Sequence, residues 1–326
     1  MKSTAVTTIE KKSLQKEVFH RPYQVFPQAR SAFCAFLKTI AINREGCVLL
    51  PAYIGWSSRE GSGVFDPVET LGLDYDFYRL DRNLHIDMEH LETVLKTRSV
   101  NVVVLIHYFG GVDPNYKEAV SLARKHGALV LEDEAHAMLT DLVGGASGRA
   151  GDASLFSLHK ILPVETGGML VVNSSGKKLL SDIESSSTSQ FLPWEYDLHE
   201  ISLRRRNNMH VLKELLEPLG DFVKPLWDWS VPEHIPQSFP VIIQHASRDE
   251  LYFSMNSAGF GVVSLYHTMI KPITKDEYPD SHYLANHILN LPIHQDIEPE
   301  MLEPMVNRLR SEIRGKCVIN GGHVDG

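Results

Sequence analysis

A lysine and an aspartate stand just after two apolar segments of this sequence. Lys160 follows the segment 153–158, and Asp133 lies 27 positions earlier, behind the apolar run Val130-Leu131. Lysine can form an imine with an aldehyde cofactor, and a fixed carboxylate can keep the ring nitrogen of that cofactor protonated. Because apolar residues bracket Lys160, we expect burial to lower the pKa of its amine and favour the nucleophilic form. The pair therefore predicts a site for pyridoxal 5′-phosphate (PLP).

Two hydroxyl side chains could hold the phosphate of such a cofactor. Ser157 lies three positions before Lys160, and Ser31-Ala32 lies at the start of a predicted helix. Backbone N–H groups and the dipole at a helix start attract anions, and the Ser31 hydroxyl can add a further donor. A plain serine cap is the ordinary alternative for Ser31.

Three ring side chains could contact the cofactor ring. His136 follows Asp133 in the same turn, where it could stack on the ring or donate to a ring oxygen. Tyr53 and Trp56 follow an apolar strand and could each stack on a planar ring. Core packing explains these three residues equally well when each is taken alone, and an aspartate such as Asp133 commonly caps a turn or pairs with an arginine. The sequence does not choose between Tyr53 and Trp56.

The elements that position these residues alternate between strand and helix. Residues 102–106 form a continuous β-branched and apolar run, which is typical of a strand buried on both faces. Asp113-Pro114 predicts a helix cap followed by proline at the first helical position, and Gly127 predicts the end of that helix. A second buried strand follows at 128–131. A strand, a helix and a strand in this length form a crossover unit, so the sheet is predicted to be parallel here.

Further elements extend the pattern in both directions. Strands are predicted at 47–50, 153–158, 169–173 and 239–244, and helices at 31–40, after the Asp87 cap, at 248–258 and at 299–313. Five prolines break the alternation after about residue 215. We therefore predict a large α/β domain over residues 1–220, with helices on both faces of its sheet, and a smaller domain over 221–326.

The composition of the sequence argues against several classes of protein. The 326 residues carry a formal net charge of −9 and no basic stripe, which argues against a nucleic-acid partner. No apolar stretch is long enough to span a bilayer, and residues 1–16 lack the apolar core of a secretory signal. Three widely spaced cysteines and scattered histidines predict neither disulfides nor a metal site. The expected location is a reducing cytoplasm.

The assembled motifs resemble the DegT/DnrJ/EryC1/StrS family of sugar aminotransferases, which have the aspartate-aminotransferase-like fold. The resemblance is most specific over residues 102–173. The similar segments are Ser31-Ala32, Pro51, His107-Tyr108-Phe109-Gly110, Glu132-Asp133, His136, Gly151-Asp152, Phe156-Ser157, Lys160, Gly167-Gly168, Arg248-Asp249 and Leu291-Pro292-Ile293-His294.

The resemblance implies a fold and a role for each site residue. The fold would be a three-layer α/β/α arrangement around a mostly parallel sheet, with a smaller C-terminal α+β domain. Lys160 would bind the cofactor and move the proton, and Asp133 would pair with the pyridine nitrogen. His136, where the family more often has glutamine, would lie near the hydroxyl side of the ring. Ser157 and Ser31-Ala32 would hold the phosphate, and the family is usually a homodimer.

Departures from the family pattern leave the substrate open. Two residues are missing between Ser157 and Lys160 relative to the commonest pattern, and the family's Gly-Tyr-Asn segment is not recognisable. The first hypothesis is an aminotransferase that moves an amino group from an amino acid, with glutamate as the family's usual donor, to a keto acceptor such as a nucleotide-linked ketosugar. The second is a PLP-dependent dehydratase acting on a deoxysugar, although such members tend to replace the lysine with histidine. The third is a non-catalytic regulatory protein that keeps the fold.

Overall fold

The apolar runs of the sequence form the central strands of a seven-stranded sheet. The computed structural model describes residues 19, 21–41, 45–173, 183 and 192–320, with the backbone alone at 41 and 315–320. The strands of the large sheet are β1 (Tyr23–Phe26), β2 (Cys47–Pro51), β3 (Tyr75–Tyr78), β4 (Val100–Ile106), β5 (Leu129–Asp133), β6 (Ala153–Ser157) and β7 (Gly168–Val172). They lie in the order β1-β7-β6-β5-β4-β2-β3.

The sheet is parallel in its centre and antiparallel at one side. Strands β3, β2, β4, β5 and β6 pair in parallel, as the predicted crossover unit requires. Strand β7 turns back along β6, and β1 pairs antiparallel with β7 at the edge. The edge strand β1 was not predicted from the sequence. A short strand at an edge makes hydrogen bonds on one side only and leaves a weak sequence pattern.

Helices cover both faces of this sheet. They are α1 (Ala29–Ala41), α2 (Phe65–Thr70), α3 (Met88–Thr97) and α4 (Tyr116–Lys125). One core packs α1 and α2 against one face, and a second core packs α3 and α4 against the other. The structure thus confirms the predicted three-layer α/β/α architecture.

Two predicted helix starts had different outcomes. The Asp87 carboxylate accepts a hydrogen bond from the His90 N–H at 2.9 Å and caps α3, as predicted. The prediction for Asp113-Pro114 is wrong, because α4 begins at Tyr116. The Asp113 carboxylate instead accepts from the backbone N–H groups of Asn115 and Ile86, at 2.6 and 2.5 Å, so it ties two loops together.

A second, three-stranded antiparallel sheet follows along the chain. Its strands are β8 (Val223–Pro225), β9 (Phe239–Ile243) and β10 (Ile288–Leu291), in the order β10-β9-β8. The accompanying helices are α5 (Leu198–Leu216), α6 (Arg248–Ser257), α7 (Pro279–His287) and α8 (Leu302–Asn320). Met209, Leu212 and Leu216 of α5 pack in the core of this smaller sheet. The domain division at residue 220 remains a prediction.

One loop of the second unit returns to the large sheet. Ile270 N–H donates to the Ile54 carbonyl at 3.1 Å, and Trp56 N–H donates to the Thr268 carbonyl at 2.9 Å. The loop thereby brings Tyr266 beside the segment that follows β2. Among the helices that the structure describes, none has the length and apolar character required to cross a membrane.

Candidate active site

Parallel pairing brings the predicted reactive residues to one edge of the large sheet. Ile106 of β4 lies opposite Asp133 of β5, and Asp133 lies opposite Leu155 of β6. Strand β6 then ends at Ser157, and a single 3-10 turn over Leu158–Lys160 follows. The carboxyl ends of neighbouring parallel strands are where open α/β sheets bind their ligands.

The amine of Lys160 contacts the imidazole of His136. Lys160 Nζ lies 2.9 Å from His136 Nε2. Lys160 is half-buried, while His136 is buried and stacks on the Phe109 ring, with a centroid separation of 5.7 Å. The structure therefore joins two residues that the sequence placed 24 positions apart.

The hydrogen bonds of His136 favour an uncharged lysine. His136 Nδ1 accepts from the Phe109 N–H at 3.4 Å, so in the neutral ring Nε2 carries the proton and points it at Lys160 Nζ. Only the free amine of Lys160 has a lone pair to accept that proton. Burial lowers the pKa of the Lys160 amine, and burial followed by the charge of Lys160 lowers the pKa of His136 well below its usual value. The burial of Lys160 thus favours a neutral, nucleophilic amine.

Asp133 is a buried carboxylate with capacity for a cationic partner. Its Oδ1 accepts from the Ala135 N–H at 2.9 Å. Burial raises the pKa of Asp133, and the Ala135 hydrogen bond and the charge of Lys160 oppose this rise. A cationic N–H donor held against this carboxylate would stabilise its ionised form. A pyridinium nitrogen is such a donor.

The two predicted phosphate elements lie next to each other. Ser157 pairs with Gly168 across the β6–β7 ladder, and a Cβ on Gly168 would lie only 2.3 Å from the Gln28 carbonyl carbon. The start of α1 therefore packs directly on the strand beside Ser157. The N–H groups of Ser31 and Ala32 both donate to the Gln28 carbonyl, at 3.1 and 3.2 Å. Because both N–H groups are already used, the Ser31 hydroxyl is the group of these two residues that could donate to an anion.

The aromatic residues near the site form a packed cluster. Tyr53 is fully buried and makes edge-on contacts with Tyr108 and Tyr266, at centroid separations of 5.5 and 5.2 Å. The Tyr108 hydroxyl donates to the Tyr53 carbonyl at 2.7 Å. Trp56 is 46% exposed and takes no part in this cluster. The structure thus brings Tyr53, rather than Trp56, into the group of rings around the site.

Sequence reasoning missed two residues of this site. The Tyr266 ring lies 5.9 Å from the His136 ring, and burial followed by the nearby charge of Asp133 raises the pKa of its hydroxyl well above the usual value. Glu60, exposed in the loop after β2, is close enough for its charge to act on Lys160 and His159. Neither residue has a local sequence signal, because each lies in an irregular loop that only the fold brings to Lys160.

Comparison with known proteins agrees with this geometry. Residues 31–183 match the sequence profile of the DegT/DnrJ/EryC1/StrS aminotransferase family. A UDP-4-amino-4,6-dideoxy-N-acetyl-beta-L-altrosamine transaminase of Campylobacter jejuni subsp. jejuni is 28% identical over 141 residues, which are 41% of this chain and 37% of that protein. The spore coat polysaccharide biosynthesis protein SpsC of Bacillus subtilis is 31% identical over 167 residues, 46% of this chain and 41% of that protein. The matches thus span about two fifths of the length of these relatives.

Solved structures share the fold over most of the chain. A DegT DnrJ EryC1 StrS aminotransferase from Brucella abortus superposes with a TM-score of 0.70 at 18% identity, covering 90% of this chain and 85% of that one. The GDP-4-keto-6-deoxy-D-mannose-3-dehydratase of E coli, solved with bound hydrated PLP, has a TM-score of 0.69 at 16% identity, covering 88% of this chain and 87% of that one.

The residues present fit the cofactor of this family. DegT/DnrJ aminotransferases use PLP. The buried carboxylate of Asp133 is an acceptor for its ring N–H, and the amine of Lys160 is a nucleophile for its aldehyde. Residues 31–183, which carry Asp133, His136, Ser157 and Lys160, are the part of the chain that is similar to the DegT/DnrJ/EryC1/StrS aminotransferase family.

Proposed function

We propose that this protein is a PLP-dependent aminotransferase. It takes an amino group from an amino acid, with glutamate as the proposed donor, and gives it to a keto acceptor. The observation that carries the proposal is the Lys160 amine, held 2.9 Å from a buried imidazole at the strand edge where the Asp133 carboxylate also lies. A protein with a purely structural use of this fold has no need of a lysine in this setting.

The side chains divide the chemistry between them. PLP, when bound, supplies an aldehyde carbon and an electron-withdrawing ring. The Lys160 amine would hold that carbon, and Nζ would move a proton of the bound amino acid as a general base and acid. The Asp133 carboxylate would accept the ring N–H and keep the ring cationic. His136 Nε2 orients the Lys160 amine through the contact between them.

The remaining site residues hold and cover the cofactor in this proposal. Ser157 and Ser31 offer hydroxyl donors to the phosphate, with Ala32 in the first turn of α1 beside them. Tyr53, within the ring cluster, limits the space on one side of the site. These placements are supported by the adjacency of β6, β7 and the start of α1.

The acceptor class is proposed from the relatives. Two of the similar proteins are named for UDP-amino-sugar transamination and polysaccharide biosynthesis. A nucleotide-linked ketosugar is therefore the proposed acceptor. We further propose that the enzyme works in the cytoplasm as a homodimer. The sparse cysteines support the location, and the resemblance to the family supports the dimer.

Reductive trapping tests the covalent role of Lys160. Borohydride treatment of the PLP-loaded protein, followed by peptide mass mapping, is expected to place a single cofactor tag on Lys160. Lys160→Ala should lose the tag and the visible absorbance of the bound cofactor. Lys96→Ala, which changes an exposed lysine paired with Glu92, should keep both. A tag on another lysine, or none on the wild type, would remove the assignment.

A dehydratase acting on a deoxysugar is the second candidate function. The observation that favours it is the shared fold with the E coli dehydratase. The presence of Lys160 supports the aminotransferase instead. Mixing the PLP-loaded protein with glutamate decides between them: one equivalent of 2-oxoglutarate per active site is expected of an aminotransferase, and none is expected if the reaction is elimination.

A further inference from the structure

A second polar cluster lies behind the strand end that carries Asp133. Glu132 and Glu134 flank Asp133, and successive side chains of an extended chain point to opposite faces of a sheet. The two glutamates therefore lie on the face away from Asp133, where His107 meets them from the end of β4. All three residues are buried. No metal site was predicted from the sequence, because its histidines are scattered and its three cysteines lie far apart.

The ligand atoms of this cluster converge on one point. His107 Nε2 lies 2.8 Å from Glu132 Oε2 and 3.4 Å from Glu134 Oε1, and the three atoms all lie within 4.8 Å of one another. Any two ligands of a tetrahedral zinc ion, each about 2.0–2.1 Å from the metal, lie roughly 3.4 Å apart. The His107–Glu132 separation would need to open by about half an ångström, a movement within the reach of side-chain rotation.

One carboxylate oxygen in the cluster is left over. Glu132 accepts from the N–H groups of Gly148 and Gly151, at 2.8 and 2.6 Å, and Glu134 Oε2 accepts from the Ser147 hydroxyl at 2.9 Å. Glu134 Oε1 has no hydrogen-bond partner among the described residues, although the Glu134 side chain is 0% exposed. It faces His107 Nε2 and the centre of the cluster. A buried oxygen without a donor is rare in folded proteins, and a bound cation would satisfy it.

The nearby arginines are engaged with a different carboxylate. Arg21 contacts Asp141 at 2.7 Å, and Arg149 contacts it at 3.3 Å. Among the described residues, His107 is the cationic side chain in contact with Glu132 and Glu134. A divalent cation would add positive charge at the point where these two carboxyl groups meet one imidazole.

We propose that His107 Nε2, Glu132 Oε2 and Glu134 Oε1 bind one divalent cation of the zinc class. Imidazole with carboxylate ligands suits zinc and its transition-metal neighbours. Calcium is disfavoured because it takes six to eight oxygen ligands, and magnesium because it keeps several waters, for which a buried three-residue cluster has little room. The ion would be structural: His107 N–H donates to the Asp133 carbonyl at 3.1 Å, so the ion fixes the backbone of Asp133 from the far face of the sheet.

Metal analysis of the whole purified chain tests this proposal. After removal of metal with a chelator and dialysis against Zn²⁺, we expect one bound zinc per chain and a higher melting temperature than in the metal-free protein. Glu134→Gln keeps the shape of the side chain and removes the ligand charge, so zinc affinity should fall by at least about 100-fold. Glu92→Gln, which changes a partly exposed glutamate on α3, should bind zinc as the wild type does. PLP content is measured on the same samples, so loss of the metal and loss of the cofactor are scored separately.

Cobalt substitution distinguishes this cluster from other zinc ligands. Co²⁺ bound by nitrogen and oxygen gives weak visible bands, whereas thiolate ligands add an intense charge-transfer band. A thiolate band, an absence of stoichiometric metal in the loaded wild type, or unchanged binding in Glu134→Gln would each overturn the proposal. If Glu134→Gln does not fold, the wild type decides: its melting temperature must fall on chelation and return with Zn²⁺, and failure to do so counts against the site.

Discussion

The imidazole of His136 bridges the Lys160 amine and the Phe109 backbone. Its Nε2 lies 2.9 Å from Lys160 Nζ, and its Nδ1 accepts from the Phe109 N–H at 3.4 Å. This ring is held on a second side by stacking on Phe109. The position and protonation of Lys160 therefore depend on a residue that the family more often replaces with glutamine.

Removing the polar contact of His136 should slow the reaction of Lys160. In His136→Phe the amine loses its hydrogen-bond partner, which costs about 1–3 kcal/mol and corresponds to a rate loss of roughly 5- to 150-fold. His136→Gln keeps a polar partner and should lose less. The measurement is the stopped-flow rate at which bound-cofactor absorbance changes with glutamate. Equal rates in wild type and His136→Phe would show that this contact does not position the amine.

Replacing the Asp133 carboxylate with a neutral amide should slow the glutamate half-reaction more than the loss of the His136 contact does. In Asp133→Asn, the proposed ring N–H loses its charged partner at a buried position. The loss of about 3–5 kcal/mol of stabilisation corresponds to a decrease in rate of roughly 150- to 5,000-fold. We expect the rate of the glutamate half-reaction to fall by that factor and cofactor retention on a desalting column to decrease. Asp74→Asn changes an exposed aspartate and serves as the control. A half-reaction within a few-fold of wild type would contradict the role of Asp133.

The buried His136 should make the fold sensitive to acid. Burial holds the pKa of His136 well below its usual value, so the unfolded chain binds a proton that the folded chain does not. Its contribution to stability is present above about pH 6.5 and is lost as the pH falls below that value, by at most about 1.4 kcal/mol per pH unit. Urea unfolding from pH 7.5 down to pH 5 should show a flatter profile for His136→Gln. The exposed His210→Gln should follow the wild type, and parallel profiles for wild type and His136→Gln would count against the prediction.

The contact between Gly168 and the start of α1 should tolerate no side chain. A Cβ at Gly168 would lie 2.3 Å from the Gln28 carbonyl carbon and 2.4 Å from the Ala29 nitrogen, both of which are backbone atoms. Gly168→Ala must push α1 away from β7, at a cost of about 1–3 kcal/mol in unfolding free energy. Because Ser31 moves with α1, cofactor affinity should fall as well.

A glycine with open space around it supplies the control for that change. A Cβ on Gly63 would meet nothing within 4 Å, so Gly63→Ala should leave both unfolding free energy and cofactor affinity unchanged. Chemical denaturation and a PLP titration measure the two quantities. A stable Gly168→Ala protein with wild-type affinity would show that the start of α1 does not hold the phosphate.

Features that depend on near neighbours in the chain could be predicted from the sequence alone. The β-branched run of β4 and the cap of α3 at Asp87 were predictable because strand burial and helix capping leave local patterns. Lys160 and Asp133 stood out because each follows an apolar strand. The crossover between β4 and β5 then placed Asp133 at the carboxyl edge of a parallel sheet.

Contacts between distant residues depend on the tertiary structure. Lys160 faces His136 because β5 and β6 pair in parallel and end at the same edge of the sheet, and Tyr266 reaches the site through a loop of the second unit. Asp113 looked like a helix cap, yet it accepts from Ile86, a residue 27 positions away. Contacts of this kind follow from strand order and loop packing, so the local amino-acid sequence around each residue does not predict them.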